Sequence, residues 1–391
     1  MAGSRRRVME AFAHRVPDRT PLFEIFQPGH PIHWDICGRT IATDMAMQWD
    51  AYAQAVSPEE MIEAKAEAVF NINRFFGLDM IHFPPDPPAS PEELEKTGRC
   101  SWRLDGVEYL VDERTKLVVP AEPGALGGYS TRQDEAAVRR QIEQWDGAAG
   151  APPPPAFAVY RKVRRMAQTA GLDWVYMAEI GGGTAAAFFP PFQLMWFLTD
   201  PELLRRWTDM QTARVLPLMK HYIDAGCAVV AMGGDVSCDK GPFISPAHYR
   251  EFILPAIRRQ VDFIHSCGAL AVYTSDGNHW PIKEDFFYNS GIDGYKEVDR
   301  AAGMTFERLI AEGVAGRVCI IGEMDARHLM CHGGVEEVKR RTRRCLDLGR
   351  DSGGGHILHL SHSVHEDVRV ENYYAMIEAY REYFGLGALG G

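Results

Sequence analysis

The chain has 391 residues, a formal net charge of −11 and a hydrophobic content of 46%. This length allows one large domain or two smaller ones, and the negative charge argues against a nucleic-acid-binding surface. No window approaches the roughly 18 apolar residues of a membrane span, and no apolar stretch of signal-peptide type follows the basic start of the chain. We therefore expect a cytoplasmic protein that binds neither nucleic acid nor membrane.

The eight cysteines are scattered along the chain without C-x-x-C spacing. This pattern is typical of neither a disulfide framework nor a zinc ribbon. Cys227 and Cys319 lie within apolar runs, and we expect both to be small buried hydrophobic residues.

The N-terminal segment predicts one helix and one short strand. Apolar residues recur at helical spacing over residues 5–15, and we interpret the arginines at 5–7 as a solvated helix start. Residues 22–26 predict a strand that carries Glu24. Glu24 has two possible interpretations. It is either a buried carboxylate or a side chain of an edge strand that faces water.

The next segment predicts a helix, a second strand and an insert. Residues 58–76 predict a helix because Pro58 falls in its first turn and Gly77 lies just after its end. A strand follows at 80–83. From about 98 to 120 the apolar residues alternate around an Asp-Gly turn, which predicts an antiparallel hairpin inserted into the main fold.

The rest of the chain repeats one pattern, an apolar strand followed by a helical segment. The clearest example is VVAMGGD at 229–235, where a buried strand ends in two glycines and Asp235 before a helix starts near Ser245. Helices are predicted over 157–170, 201–224 and 246–267. The predicted strands start near residues 22, 80, 175, 229, 270, 294, 318 and 356. About eight strands that alternate with helices predict a single (β/α)8 TIM barrel over residues 1–391.

Polar residues follow most of the predicted strands. The carboxyl ends of parallel strands meet at one mouth of a barrel, so we expect these side chains to converge. The set comprises Glu24, Glu179, Asp235, Tyr273, Asp276, Glu297, Glu323, Asp325, His359 and His362. Carboxylates that crowd in such a mouth raise one another's pKa, which suits general acid or base catalysis unless a cation lies among them. For any single acid, a solvated or arginine-paired side chain remains an alternative.

Four histidines recur at every third residue near the C-terminal strand, at 356, 359, 362 and 365. Alternation along a strand would place His356 and His362 on one side and His359 on the other. We choose His362, which lies between two serines at the end of the strand, as the histidine of the mouth. A hydrogen-bonded structural histidine is the alternative.

Lys240 follows Asp235 in a loop that also contains Gly241. It is a candidate to neutralise the acids or to hold an anionic group of a substrate. A simple solvated lysine is the alternative.

These motifs resemble the uroporphyrinogen decarboxylase superfamily. The resemblance is carried by the segments GDVSCDKGPFISP at 234–246, YTSDGN at 273–278, GEMD at 322–325 and HILHLSHSV at 356–364. It spans most of the chain, from PDRTP at 17–21 to ENY at 371–373. It implies a (β/α)8 barrel, and homodimers are common in this superfamily.

The superfamily contains two main chemistries. Its decarboxylases hold the propionates of the substrate with an arginine-rich R-Q-A-G-R loop after the first strand, whereas this chain reads QPGHPIHW at 27–34, with no arginine until Arg39. Its methyltransferases exchange methyl groups with a corrinoid carried on a separate protein. Thiol-specific members have His-x-Cys at the position of residues 273–275 and a Cys near His362. A third group reads His-Ser-Asp-Gly and Asp-His-Ser at these sites, and this chain is most similar to that group.

The resemblance therefore implies the transfer of a methyl group from a small methoxy or methylamine compound to cobalamin on a partner corrinoid protein. The catalytic candidates are Glu24, Asp235, Lys240, Tyr273, Asp276 and His362. The substrate-binding candidates are Glu179, Glu297, Glu323 and His359. Tyr273 or His362 would donate a proton, or a zinc ion held by Asp235, Asp276 and His362 would act as a Lewis acid. A decarboxylase-like lyase that acts on a smaller substrate and a non-catalytic binding barrel remain alternatives.

Overall fold

The computed structural model describes residues 3–27, 29–88, 91, 93–121, 134–147, 155–181, 184 and 189–389. Its main sheet has eight parallel strands in the order β1-β2-β7-β8-β11-β12-β13-β14. These are β1 (Phe23–Glu24), β2 (Met80–His82), β7 (Val175–Glu179), β8 (Val229–Gly233), β11 (Leu270–Thr274), β12 (Gly294–Lys296), β13 (Cys319–Ile321) and β14 (His356–Ile357). Bridges between Leu22 and Leu358 and between Phe26 and Val364 join the first strand to the last. The predicted TIM barrel and its eight strand positions are confirmed.

Helices follow most of the barrel strands. They are α1 (Ser4–Phe12), α2 (Ile32–Cys37), α3 (Met45–Ala53), α4 (Pro58–Phe76), α5 (Glu135–Gln144), α6 (Ala158–Thr169), α7 (Pro191–Thr199), α8 (Pro201–Ala225), α9 (Pro246–His248), α10 (Leu254–Ser266), α11 (Phe306–Ala311), α12 (Leu329–His332), α13 (Val335–Asp351) and α14 (Val370–Phe384). The predicted helix over 58–76 has the same bounds in the structure. Ser57 accepts the backbone N–H of Glu60 at its start, and Gly77 ends it with φ of +70°. A cap at each end explains why the sequence fixes this helix so closely. None of the described helices is long and apolar enough to cross a membrane.

Alternation along the strands divides the apolar core into two parts. The inner part fills the barrel with side chains such as Phe23, Met177, Val272 and Ile357, and α1 closes its amino end with Val8. The outer part lies between the strands and the surrounding helices. At the carboxyl ends of the strands the apolar side chains of the inner core give way to polar side chains.

A buried ion-pair network attaches α1 to the barrel. Arg7 is 6% exposed, and its guanidinium lies 2.6 Å from Asp18 and 3.1 Å from Asp79. Arg19 reaches the same Asp79 at 2.8 Å. The interpretation of residues 5–7 as a solvated helix start is therefore wrong for Arg7, because a carboxylate more than seventy residues away buries and pairs it.

The predicted hairpin insert is a larger unit than expected. Four antiparallel strands form a separate sheet in sequential order. They are β3 (Glu95–Gly98), β4 (Ser101–Leu104), β5 (Val107–Val111) and β6 (Val118–Pro120). Trp102 is fully buried and packs edge to face on Trp49 of α3. The sheet therefore has a small core of its own.

Candidate active site

The carboxylates of Asp235, Asp276, Glu297 and Asp299 form an acidic cluster at the carboxyl end of the barrel. The ends of β8, β11 and β12 lie in register, so the residues that follow them share one rim. The backbone N–H of Asp276 donates to the Asp235 carboxylate. Glu297 acts electrostatically on both of these acids, and Asp299 acts on Asp276. The cluster gathers side chains from three loops.

Glycine is required where β8 ends. Gly233 and Gly234 have φ of +112° and +130°, a region that L side chains rarely adopt. A Cβ on Gly233 would lie 2.7 Å from Cε1 of Tyr273. These two glycines turn the chain across the Tyr273 ring and bring Asp235 to the rim.

Asp276 has the most altered pKa of the acidic cluster. Burial raises it, the charges of Asp235, Glu297 and Asp299 raise it further, and Arg327 opposes the increase, which leaves a pKa of about 7. Burial and Glu297 likewise raise the pKa of Asp235. At neutral pH the Asp276 carboxyl is therefore protonated in a substantial fraction of molecules, as a general acid requires.

Two cations border the acidic cluster. Arg327, on the loop after β13, lies 3.0 Å from Asp239 and 3.6 Å from Asp299. Lys296, the last residue of β12, is 1% exposed, and its Nζ lies 2.9 Å from Glu179 and 2.7 Å from Glu297. The nearby carboxylates outweigh the effect of burial and raise the pKa of Lys296, so it is fully charged. Neither cation is among the candidate residues predicted from the sequence.

The opposite side of the mouth holds Glu24 and His359. Both side chains are fully buried, and Nδ1 of His359 lies 2.9 Å from Oε1 of Glu24. This close approach does not have hydrogen-bond geometry, and Oε2 of Glu24 and both ring nitrogens of His359 have no hydrogen-bond partner. Next to them, Nε2 of His82 lies 3.8 Å from Glu179. Burial would raise the pKa of Glu179, but Lys296 and His82 lower it.

The structure keeps Glu323 and Asp325 apart from this group, whereas Tyr273 is buried close enough to Asp235 to feel its charge. Glu323 is buried in the helix layer, where Arg341 and Arg300 pair with it. Tyr273 is fully buried with its ring against Phe286, and burial raises the pKa of its hydroxyl. Asp325 accepts the backbone N–H groups of two residues that follow it in a turn.

Two further candidates lie at the outer edge of the mouth. His362 is exposed, its Nδ1 lies 3.0 Å from Ser363 Oγ, and it acts electrostatically on Asp235. Lys240 is exposed in the turn between the short strands β9 (Ser237–Cys238) and β10 (Gly241–Pro242). It makes no ion pair with the described residues.

The arrangement of donors does not fit the expected zinc site. A protein zinc site needs three or four ligands around one point. Within the described ranges, no three His, Cys, Asp or Glu side chains are placed to hold a metal ion. Asp235, Asp276 and His362 therefore do not form such a set.

Among the residues that the sequence analysis missed, Lys296 and His82 had a weak signal. Each is a charged or titratable residue at the end of a predicted strand, in GYKE at 294–297 and MIHF at 80–83. The same strand-end criterion that selected the acids would have included them. Arg327 had no such signal, because it lies two residues into a turn.

Comparisons with known proteins agree with this architecture. The model of a family described as uroporphyrinogen decarboxylase (URO-D) matches residues 176–383, more than half of the chain. A uroporphyrinogen decarboxylase from Actinobacillus succinogenes is 27% identical over 228 residues, which cover 54% of this chain and 57% of the relative. A methylated-thiol–coenzyme M methyltransferase from Methanosarcina mazei is 30% identical over 159 residues, which cover 41% of this chain and 40% of the relative. The matched segments thus span little more than half the length of the first relative and less than half the length of the second.

A solved structure described as a methyltransferase from Methanosarcina mazei has a similar fold. It superposes with a TM-score of 0.63 at 18% sequence identity and covers 98% of this chain and 100% of its own. This likeness extends the agreement in fold to nearly the whole molecule.

Proposed function

Since the chain belongs to the uroporphyrinogen decarboxylase family, we propose that it is a methyltransferase that moves a methyl group from a small methoxy or methylamine compound to the corrinoid of a partner protein. The similarity to a methylated-thiol–coenzyme M methyltransferase supports the reaction class. The acidic cluster supports the choice of donor. A methyl ether or methylamine would release an alkoxide or amide ion, which is a poor leaving group unless the oxygen or nitrogen receives a proton.

The observation that carries this proposal is the placement of Asp276 at the mouth, where it is partly buried among the charges of Asp235, Glu297 and Asp299. Its pKa of about 7 keeps a proton available at the mouth near neutral pH. When the bond between the methyl carbon and the oxygen or nitrogen breaks, its electron pair stays on that heteroatom. Asp276 then donates its proton there, and the alcohol or amine leaves as a neutral molecule.

The remaining groups hold the charge pattern around Asp276. Asp235 and Glu297 disfavour its ionisation, and the positive charge of Arg327 stabilises the carboxylate that remains after the proton has left. Lys296 fixes Glu179 and Glu297 in place from the centre of the barrel. Each turnover ends when Asp276 takes up a proton from solvent, which its partial exposure permits.

The rim of the mouth fits a large acceptor held by another protein. Asp276 and His362 are accessible to solvent, and Phe243, just after β10, is 45% exposed. The reduced cobalt of a bound corrinoid would supply the electron pair that accepts the methyl group.

A decarboxylase-like lyase is the second candidate function, because curated relatives are uroporphyrinogen decarboxylases. Asp276 would then protonate the carbon from which carbon dioxide leaves. The acidic cluster disfavours a substrate with many carboxylates, because four acids face two cations there. A lyase of this kind would therefore act on a smaller substrate.

One set of reactions separates these functions. The purified protein is incubated with chemically reduced cobalamin and a panel of methoxy compounds and methylamines, and mass spectrometry follows the demethylated product. Carbon dioxide is measured in parallel with small carboxylic acids. Methyl loss that depends on protein and cobalamin supports the proposal. Formation of carbon dioxide without methyl transfer supports the lyase. The absence of both products supports a non-catalytic barrel.

A further inference from the structure

A cavity of about 320 Å³ opens beside the mouth, between the ends of β1 and β2 and the helices α2 and α4. Glu24 and His82 belong both to its wall and to the polar group inside the mouth. Cavities of about 550 and 510 Å³ also exist, but no strand-end acid lines either of them. The smaller cavity is therefore the one that continues into the candidate active site.

Lys65 on α4 is the cation in the wall of this cavity. It makes no ion pair with the described residues, and burial lowers its pKa while Asp86 opposes that effect. The carboxylate of Asp86 is itself occupied, because it accepts the backbone N–H groups of Ala158 and Val159 at 3.0 and 2.8 Å. A half-buried ammonium without a counter-ion is costly, so this position favours an anionic ligand.

The cavity also offers an unpartnered acceptor. Glu24 is completely buried in the wall, and its Oε2 has no hydrogen-bond partner. A buried carboxylate oxygen of this kind needs a donor. His33, the nearby histidine of the wall, has a pKa of about 4 because of burial and is neutral, so it does not supply a second positive charge.

The rest of the wall is largely apolar. Phe26, Val69 and Ile72 contribute side chains to it. A cation, a buried carboxylate acceptor and a largely apolar surface in a space of this size are the features of a small-molecule site.

We propose that this cavity binds a small compound with an apolar body, a single carboxylate that pairs with Lys65, and a hydroxyl or amino group that donates to Glu24. We identify this compound as the methyl donor, and that identification rests on the proposed function. The binding of such a compound to the cavity does not depend on the proposed function. The cavity lies on the β1 and β2 side of the mouth, so the bound compound would extend from there towards the acidic cluster.

Binding is tested with probes that have no methyl group to transfer. Isothermal titration calorimetry compares 3-hydroxybenzoate with 3-hydroxybenzyl alcohol, which lacks the carboxylate, and with benzoate, which lacks the hydroxyl. The same titrations use Lys65→Met, Glu24→Gln, and Lys220→Met as a control at an exposed lysine paired with Asp224. Circular dichroism first confirms that each variant is folded, and Lys65→Arg tests whether restored charge restores binding.

We expect 3-hydroxybenzoate to bind the wild type and Lys220→Met equally, and about tenfold or more weakly to Lys65→Met, as expected for loss of a charged hydrogen bond. Lys65→Arg should recover part of this loss. Removal of the hydroxyl should weaken binding strongly in the wild type and less in Glu24→Gln, because an amide oxygen is a weaker acceptor than a carboxylate. Equal binding of the neutral alcohol, an unchanged affinity in Lys65→Met, or no binding of the carboxylate to the wild type would each overturn the inference. None of these results depends on methyl transfer, so they do not decide the proposed function.

Discussion

The ammonium of Lys296 contacts the carboxylate of Glu179 at 2.9 Å through the interior of the barrel. Their strands, β12 and β7, are not neighbours, because β8 and β11 lie between them. A second carboxylate, Glu297, lies 2.7 Å from the same nitrogen. This buried lysine therefore ties opposite parts of the mouth together and neutralises acids that would otherwise repel one another.

Lys296→Met should destabilise the protein by roughly 3 kcal/mol, because it leaves two carboxylates near the centre of the barrel without their cation. Lys296 lowers the pKa of Glu179 in the folded protein. The ion pair therefore stabilises the fold at pH values above the pKa that Glu179 has in the unfolded chain, and this stabilisation is lost as the pH falls through the pKa that Glu179 has in the folded protein. The deficit in the free energy of unfolding should therefore be largest near neutral pH and shrink in acid. Urea titrations at several pH values measure it.

The matched control for this experiment is Lys220→Met, which removes an exposed lysine paired with Asp224. It should cost less than about 1 kcal/mol. A triple variant, Lys296→Met with Glu179→Gln and Glu297→Gln, should recover at least half of the lost stability. A Lys296→Met protein as stable as the wild type would contradict this account.

Asp276→Asn should lower the rate of methyl transfer by about 10²- to 10⁴-fold, because an amide cannot donate the proton. In the wild type, kcat/KM should fall as the pH rises through about 7, the pKa of Asp276, since the protonated form is the active one. Stopped-flow measurement of cob(I)alamin consumption gives the profile. Asp224→Asn, at an exposed position on α8, is the control. A profile that rises through this range would assign Asp276 the role of a base.

The same substitution should stabilise the folded protein. Because the folded pKa of Asp276 lies above its unfolded value, the carboxyl favours folding at low pH and loses that effect as the pH rises through about 7. Asp276→Asn should therefore be more stable than the wild type at about pH 8, by roughly 1–3 kcal/mol after solvent screening is considered. The gain should shrink as the pH is lowered towards about 4. Thermal unfolding at matched pH values tests the sign.

Asp79→Asn should destabilise the protein by about 3–5 kcal/mol, because two arginines would lose their shared buried carboxylate. Asp18→Asn is the comparison, since Asp18 pairs with the same Arg7 but its side chain is 41% exposed. It should cost clearly less. Equal losses in guanidinium titrations would show that burial of Asp79 does not govern the strength of this network.

The sequence predicts the barrel well because its strands are buried on both faces and read as continuous apolar runs. Strands such as VVAMG at 229–233 are short, bounded by glycine and followed by helical patterns. The insert was underestimated because β3 (EKTG) has no buried residue and lacks the apolar signal. Its pairing with β4 exists only in the folded chain.

The site was harder to predict, because strand ends locate side chains on the rim but do not say which way they turn. Glu323 follows β13 as expected, yet Arg341 of α13 and Arg300 of the loop after β12 hold it away from the mouth. Alternation does separate two of the C-terminal histidines, since His356 faces Cys345 on the helix side and His359 faces Glu24 in the mouth. It does not say which side is the inner one, and His362, the residue chosen for the mouth, lies at its exposed edge.

The closure of the barrel sets the order in which the chain can fold. Gln27 donates to Ser363 across a separation of 336 positions, next to the bridges that join the first and last strands. During synthesis, the sheet therefore keeps two unpaired edges until the residues up to 364 have left the ribosome. Contacts this distant in sequence form slowly, and unpaired edges are prone to aggregation meanwhile. Truncation before residue 356 should leave a protein that lacks β14 and cannot close its barrel.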